Sequence, residues 1–183
     1  MIHKLEVEEY KILWSLYQNL RFNLVVDSII NGTTPAWAFV DQKPNPGSGL
    51  LWNKQDALLL AGDAGNEEFN LSLGEILIQE IMPDARTRYI PEISFYCDAS
   101  TWESRLETIL KGRGIQKASR RFYQYDKLEF DWRSQIPLGY EIRPIDASLL
   151  ESNEFDNVDQ VVGWVKSFWY SNLDFVKKVS DTA

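Results

Sequence analysis

The sequence predicts an α/β (α+β) fold in which helices flank a largely antiparallel central sheet. Three short apolar runs, residues 36–41, 50–52 and 57–61, are joined by turns too short to hold a crossover helix, which favours an antiparallel meander. The stretches before and after this meander place apolar residues at the spacing of one helix face. With 183 residues, the chain can build one good core and part of a second domain.

The section before the meander is predicted to be helical. Residues 7–20 form a first helix and residues 24–30 a shorter second one, with Gly32 as its C-terminal cap. The residues ahead of Val7, including His3, are expected to form a mobile end. The apolar face of the first helix consists of Tyr10, Leu13, Trp14, Tyr17 and Leu20.

The stretch from Asp56 to Met82 is the one around which the rest of the chain is organised. It predicts a strand over residues 57–61, a glycine turn, and a helix over residues 67–81 that Pro83 ends. A helix N-terminus that follows a glycine turn is a common position for a bound anion. The positional candidates for cofactor binding are therefore Gly62, Asp63, Gly65 and Asn66.

The remaining elements are predicted from shorter patterns. Ser100 and Glu103 fit a capping box at the start of a helix that ends near Gly112. The other predicted elements are a strand over residues 89–97, a hairpin of residues 115–125 and 128–132, a strand over residues 140–144, a helix over residues 145–152 and a last helix from Val158.

Two surfaces of the predicted fold leave alternatives open. The basic cluster is either a solvated strand face or a patch for an anion or an acidic partner, and it consists of Arg113, Lys117, Arg120 and Arg121. The last helix carries an apolar stripe that must pack on the first domain, on a second copy or on a further segment. That stripe, a possible surface for a homo-oligomer or another partner, consists of Val158, Val161, Val162, Val165, Phe168 and Trp169.

Charge and composition exclude several classes of function. The 27 acidic and 19 basic residues give a net charge of −8, so nucleic acid, which needs a basic surface, is a poor partner. One histidine and one cysteine exclude a zinc site built from several His and Cys, and no metal site is expected. No apolar run approaches the ~20 residues that span a bilayer, and the first eleven residues, MIHKLEVEEYK, have no apolar core of signal-peptide length. A cytoplasmic protein with a reduced Cys97 is expected.

The order of the predicted elements up to Trp132 is that of the GNAT N-acetyltransferase superfamily without its first strand. The chain also resembles one branch of that superfamily, the bacterial GNAT-like acetyltransferases with an extra N-terminal half. The segments that carry the resemblance are NLRFNLVVDSIINGTTPAWAFVDQ (residues 19–42), LLLAGDAGNEEFN (58–70), RRFYQYDKLEF (120–130) and YEIRPID (140–146).

The resemblance implies a mixed, largely antiparallel sheet and two GNAT-like units. Residues 1–134 would be a degenerate first unit, and residues 135–183 the start of a second, incomplete unit or a C-terminal helical extension. The second half of such proteins binds acetyl-CoA, and its cofactor-binding elements would come after residue 183. Acetyl-CoA is therefore implied by the resemblance alone, with no cofactor for this chain as the alternative.

The resemblance also implies where a cofactor would lie in the first unit. GNAT enzymes hold the pyrophosphate with a basic Gln/Arg-x-x-Gly-x-Gly/Ala turn after the fourth strand. The equivalent turn here, residues 62–68, keeps two glycines, lacks the basic residue and adds Asp63, Glu67 and Glu68. The turn either binds acetyl-CoA or uses its carboxylates to cap a structural helix.

No catalytic residue can be assigned from the sequence. GNAT-type transfer aligns an amine with the thioester, and a carboxylate or a water takes the amine proton. Tyr123, Tyr125 and Glu129 are either acid or base groups or ordinary strand residues. The predicted function is that of a GNAT acetyltransferase-like protein that resembles the N-terminal portion of an acetyl-CoA-dependent N-acetyltransferase. The alternative is a non-catalytic GNAT-like module for partner binding or dimerisation.

Overall fold

The chain forms two compact units, Met1–Ser119 and Arg120–Ala183. The computed structural model describes residues 2–110, 112–123, 127, 130–152 and 156–168, with the backbone alone for residues 166–168. The first unit contains the sheet. The assignment of residues 135–183 to the start of a second GNAT-like unit stays a prediction.

A five-stranded sheet organises the first unit, and its strands lie in the order of the sequence. The first four strands pair antiparallel, and the fifth runs parallel to the fourth. The predicted fold class, α+β with a mixed, mostly antiparallel sheet of GNAT type, is confirmed. The strands are β1 (His3–Leu5), β2 (Trp37–Val40), β3 (Ser48–Trp52), β4 (Ala57–Gly62) and β5 (Ser94–Cys97).

Strand β1 corrects two expectations from the sequence. His3 lies opposite Val40, and Leu5 lies opposite Ala38 with its side chain buried. Residues His3–Leu5 are therefore not part of a mobile end, and a first strand precedes the helices, as in the GNAT order. The sequence did not predict β1 because three residues with one buried apolar side chain are too few to show the alternation of a strand. The strand is defined by its pairing with β2.

Helices cover both faces of the sheet. The N-terminal segment and α1 pack on one face, and α2, α3 and α4 pack on the other. Among the described residues, no helix is long and apolar enough to cross a membrane. The four helices of this unit are α1 (Val25–Ile30), α2 (Glu67–Ile76), α3 (Met82–Thr87) and α4 (Thr101–Ile109).

The first predicted helix is 3₁₀ rather than α-helical, in two pieces, Val7–Leu13 and Gln18–Leu20. The apolar face is otherwise as predicted, since Tyr10, Leu13 and Tyr17 are buried in the core. Apolar spacings of three and four residues suit both helix types. The pattern therefore identified the buried side but could not distinguish the two backbones.

Pro83 does not end the helix that follows the glycine turn. A π-helical turn, Leu77–Ile81, joins α2 to α3, and Pro83 lies in the first turn of α3. Proline is tolerated there because the π turn just before it already shifts the backbone hydrogen bonds away from the α-helical pattern, with the Met82 N–H donating to the Leu77 carbonyl. Leu77 and Ile81 stay buried against the sheet, so core packing extends across the irregularity.

Several of the shorter predictions were wrong. Helix α4 begins after Ser100 as predicted, but the Ser100 side chain makes no capping hydrogen bond. Residues 115–123 of the predicted hairpin and the predicted strand over residues 140–144 are irregular. Strand β5 is shorter than the predicted 89–97. The strands were inferred from a few apolar residues, and the capping box from the residue types of Ser100 and Glu103 alone.

The second unit contains α5 (Ala147–Glu151) and α6 (Val158–Phe168). Leu150 of α5 and Val165 of α6 are buried in one small cluster between the two helices. The remaining members of this small cluster are partly buried: Ile145, Val161 and Val162. Part of the predicted apolar stripe therefore packs on α5, while the Phe168 side chain and Trp169 lie outside the described residues.

Candidate functional site

The glycine turn lies at the C-terminal ends of the two parallel strands. Gly62 ends β4, and Asp98 follows β5 directly. The Gly62 N–H donates a 2.9 Å hydrogen bond to Oδ2 of Asp98. Gly62 has a φ of +91°, and a Cβ at this position would lie 2.0 Å from the Gly47 carbonyl oxygen. Only glycine fits here, and its N–H is already bound.

Asp63 is tied into the turn by four hydrogen bonds, one of which comes from the Asn66 N–H to the Asp63 carbonyl at 3.3 Å. Its Oδ1 accepts from the Gly65 N–H at 2.7 Å. Its backbone N–H donates to the Gly47 carbonyl at 2.9 Å, and its carbonyl accepts from the Ser48 hydroxyl at 2.9 Å. The exposed carboxylate therefore holds the backbone group that an anion at Gly65 would need.

Asn66 caps helix α2. Its Oδ1 accepts from the Phe69 N–H at 3.0 Å, and its Nδ2 donates to Oδ2 of Asp41 at 3.0 Å. The other Asp41 oxygen accepts from the Gly47 N–H at 2.9 Å. The first turn of α2 is therefore linked through Asp41 to the loop between β2 and β3.

The charge around the turn is acidic. Glu67 and Glu68 occupy the first turn of α2 with exposed side chains, where carboxylates favour the positive end of the helix dipole. Arg105 of α4 lies 3.0 Å from Oε1 of Glu67, so this guanidinium is paired with one of the turn's own carboxylates. The local field disfavours a polyanion.

Two titratable side chains close to Asp98, the thiol of Cys97 and the hydroxyl of Tyr17, are neutral at pH 7. Burial, with the nearby carboxylates of Asp98 and Glu103, raises the pKa of Cys97 to about 12. Burial also raises the pKa of Tyr17 well above its usual range, and its hydroxyl donates to the Leu59 carbonyl at 3.2 Å. Because a thiol attacks in its thiolate form, this shift of the pKa disfavours Cys97 as a nucleophile.

The structure brings Gly62, Asp63, Gly65 and Asn66 together in one turn, as the sequence predicted. Asp41 and Asp98, which complete the turn, were not identified from the sequence. Asp98 carries one usable signal, since a polar residue directly after an apolar strand marks the edge where parallel strands end.

The other predicted groups do not form a site within the described residues. Tyr123 is 84% exposed, and Tyr125 and Glu129 lie outside the described residues. In the basic cluster, Lys117 pairs with Glu103 at 2.6 Å, and Arg113 donates to the Met82 sulfur at 3.3 Å. An anion patch that also includes Arg120 and Arg121 stays a prediction. The described residues contain no group of three or more His, Cys, Asp or Glu that could hold a metal ion.

The second unit contains a cavity of about 220 Å³. Its walls come from residues 141–145, α5 and α6, and an ion pair of 3.6 Å joins Arg143 to Glu141 at its edge. Most of the wall is aliphatic. The lining residues are Glu141, Arg143, Ile145, Leu149, Leu150, Val158 and Val161.

Comparison with known proteins gives one relationship that covers nearly the whole chain. No family model matches the sequence. Over 179 residues, which are 97% of the chain, the sequence is 22% identical to the uncharacterized N-acetyltransferase YdfB of Bacillus subtilis (strain 168). The chain is a distant relative of an N-acetyltransferase. It spans 64% of that relative's length, which is less than two thirds.

Replacing the cap of α2 tests how far the turn depends on its own side chains. Asn66→Ala removes the acceptor of the Phe69 N–H, and we expect it to lower the free energy of unfolding by about 1 kcal/mol. Asn66→Ser is the matched control, because serine keeps a capping oxygen and should cost less. Urea denaturation measures both variants. Equal losses would contradict a capping role for the Asn66 oxygen.

Proposed function

We propose that this chain is the GNAT-like N-terminal portion of an N-acetyltransferase-type protein, and that its own glycine turn is structural and does not bind acetyl-CoA. One observation carries the second part of this proposal. The N–H groups of Gly62, Gly65 and Phe69 donate to oxygens of the protein's own side chains, which belong to Asp98, Asp63 and Asn66.

A pyrophosphate that used these three N–H groups would have to displace oxygens that are already in place. Each displaced carboxylate would lose a hydrogen bond to a backbone N–H and remain close to the incoming anion. Two unit charges 4 Å apart repel by about 1 kcal/mol even in bulk water. The carboxylates of Asp63, Glu67 and Glu68 would each repel the pyrophosphate in this way. Arg105 is paired with Glu67 and does not offset the repulsion from the other two. These costs favour the structural role.

Strand β4 also offers no free edge to a cofactor. Residues Leu58 to Gly62 pair with β3, and Ala57 to Leu60 pair with β5. The Asp98 N–H continues this pairing by donating to the Leu60 carbonyl at 3.1 Å. The amide-bearing arm of CoA would need unpaired backbone groups to hydrogen-bond to this strand. In a longer protein of the relative's kind, we place acetyl-CoA outside this turn.

A partner-binding role of the second unit is the alternative proposal. Its support is α6, where Trp164 remains 49% exposed while Val165 is buried. If α6 forms an interface between two copies, light scattering will give the mass of a dimer, and Trp164→Asp, at the exposed position, will reduce it to a monomer. A monomer at 100 µM, a concentration on the order of a weak dimer's dissociation constant, would contradict dimerisation.

Thermal denaturation with acetyl-CoA tests the main proposal. A ligand at 100 times its dissociation constant stabilises by about 2.7 kcal/mol, which would raise the midpoint by roughly 5–10 °C for a chain of this size. With acetyl-CoA at a concentration on the order of 1 mM, we expect no rise in the midpoint beyond that caused by sodium chloride at equal ionic strength. A saturable rise specific to acetyl-CoA would overturn the proposal.

A further inference from the structure

Three buried side-chain atoms lack a hydrogen-bond partner among the described residues, namely Asp98 Oδ1, Trp102 Nε1 and Asn70 Oδ1, and the last two belong to the adjacent helices α4 and α2. Trp102 is fully buried, and its Nε1–H has no hydrogen-bond partner among the described residues. Asn70 is 6% exposed, and its Oδ1 likewise has none within that part of the chain. Buried polar atoms of folded proteins are nearly always hydrogen-bonded, so both atoms require an explanation.

Two contacts show that Asn70 faces α4. Arg105 pairs with Glu67 at 3.0 Å, and a Cβ on Gly74 would lie 3.5 Å from Cγ2 of Ile109. Asn70 lies three residues after Glu67 and four before Gly74, on the same face of α2. Its side chain is therefore bracketed by contacts with α4 on both sides.

Trp102 faces the same interface from the other helix. It precedes Arg105 by three residues and Ile109 by seven, so the three share one face of α4. Its ring packs edge-on against Phe69, the neighbour of Asn70, with ring centroids 6.2 Å apart and planes at 70°. Both unpartnered atoms therefore belong to the first turns of two adjacent helices.

The orientation of the Asn70 amide is fixed by its other half. Nδ2 donates to the Ala64 carbonyl at 2.8 Å, and a carbonyl can accept but not donate. The acceptor Oδ1 must therefore be the atom left without a partner. Rotating the amide by 180° would direct a carbonyl oxygen at the Ala64 carbonyl and would not resolve the pair.

We propose that a single water molecule binds in this interface, where it accepts from the Trp102 Nε1–H and donates to Oδ1 of Asn70. The chemistry of the two atoms selects the ligand. An anion would accept from the indole but be repelled by the amide oxygen, and a metal cation would be repelled by the indole N–H. A neutral group that both donates and accepts fits both, and water is the smallest of these.

This water site has a structural consequence that does not depend on the proposed function. The water would link the first turn of α4 to the first turn of α2, which follows the glycine turn. It would join the two helix starts through a neutral group, next to the charged side chains of Glu67, Glu68 and Arg105.

Nuclear magnetic resonance on the native chain tests the proposal directly. In a chain labelled with ¹⁵N, the indole signal that Trp102→Phe removes identifies Trp102 among the seven tryptophans. We expect this Nε1–H to show a dipolar cross-peak to water, distinguished from chemical exchange in a rotating-frame experiment. Absence of that cross-peak would overturn the proposal.

A double-mutant cycle provides a second measurement. If one water joins the two side chains, Trp102→Phe and Asn70→Leu together should lower the urea midpoint by less than the sum of the two single losses. Ser72→Ala is the control partner, since Ser72 bonds to the Glu68 carbonyl within α2, and its loss should add to that of Trp102→Phe. Additive losses for the Trp102 and Asn70 pair would overturn the proposal.

Discussion

Gly62→Ala should lower the free energy of unfolding by about 3 kcal/mol or more, because it combines backbone strain with a collision. The φ of +91° is unfavourable for any residue with a Cβ. The added Cβ would lie 2.0 Å from the Gly47 carbonyl oxygen and 2.7 Å from Cδ1 of Leu16. The backbone oxygen cannot move without breaking the pairing of β3 with β4. Urea denaturation measures the loss.

Gly65→Ala is the matched control in the same turn. A Cβ at Gly65 has Oδ1 of Asp63 as its nearest neighbour at 3.0 Å, the end of an exposed side chain that needs to yield by only a few tenths of an ångström. We expect its cost to stay below about 1 kcal/mol. Equal losses for the two alanine variants would contradict the claim that the approach of β3 at Gly47 requires glycine at Gly62.

Asp98→Ala should lower the free energy of unfolding by about 1–3 kcal/mol, because it leaves the Gly62 N–H without its acceptor. Asp98→Asn keeps an oxygen at the same position and should lose clearly less. Chemical denaturation of both variants at pH 7 gives the comparison. If the asparagine variant were as unstable as the alanine variant, the negative charge rather than the hydrogen bond would hold the turn.

The local pattern of the chain was sufficient to predict the centre of the fold. The meander of β2, β3 and β4, the glycine turn and the start of α2 follow from short apolar runs, turn residues and helix spacing within a few residues. The buried face of the N-terminal segment, Tyr10 and Leu13 among it, was predicted correctly for the same reason. These features depend on neighbours in the sequence.

The features that were missed depend on contacts distant in the sequence. Strand β1 exists because it pairs with β2, more than 30 residues later. The π turn before Pro83 keeps Leu77 and Ile81 on the sheet, and core packing outweighs the local preference of proline. The capping box at Ser100 was expected from residue types alone, and the structure does not form it.

The candidate site shows the same division. Asp63, Gly65 and Asn66 bond within their own turn, and sequence reasoning found them. Asp98 reaches the turn from 36 residues away and Asp41 from 25. Their contribution follows from the parallel pairing of β4 with β5 and from the loop after β2, which local patterns do not specify.

The backbone amides of Gly62, Gly65 and Phe69 provide the most direct test of the central claim, that this turn is structural and does not hold a cofactor. Their ¹H–¹⁵N signals can be followed while acetyl-CoA is added to the native chain, with a parallel titration of sodium chloride at equal ionic strength as the control for ionic effects. If the oxygens of Asp98, Asp63 and Asn66 keep these three N–H groups, acetyl-CoA will shift the signals no further than sodium chloride does. Saturable shifts at all three amides that only acetyl-CoA produces would contradict the claim.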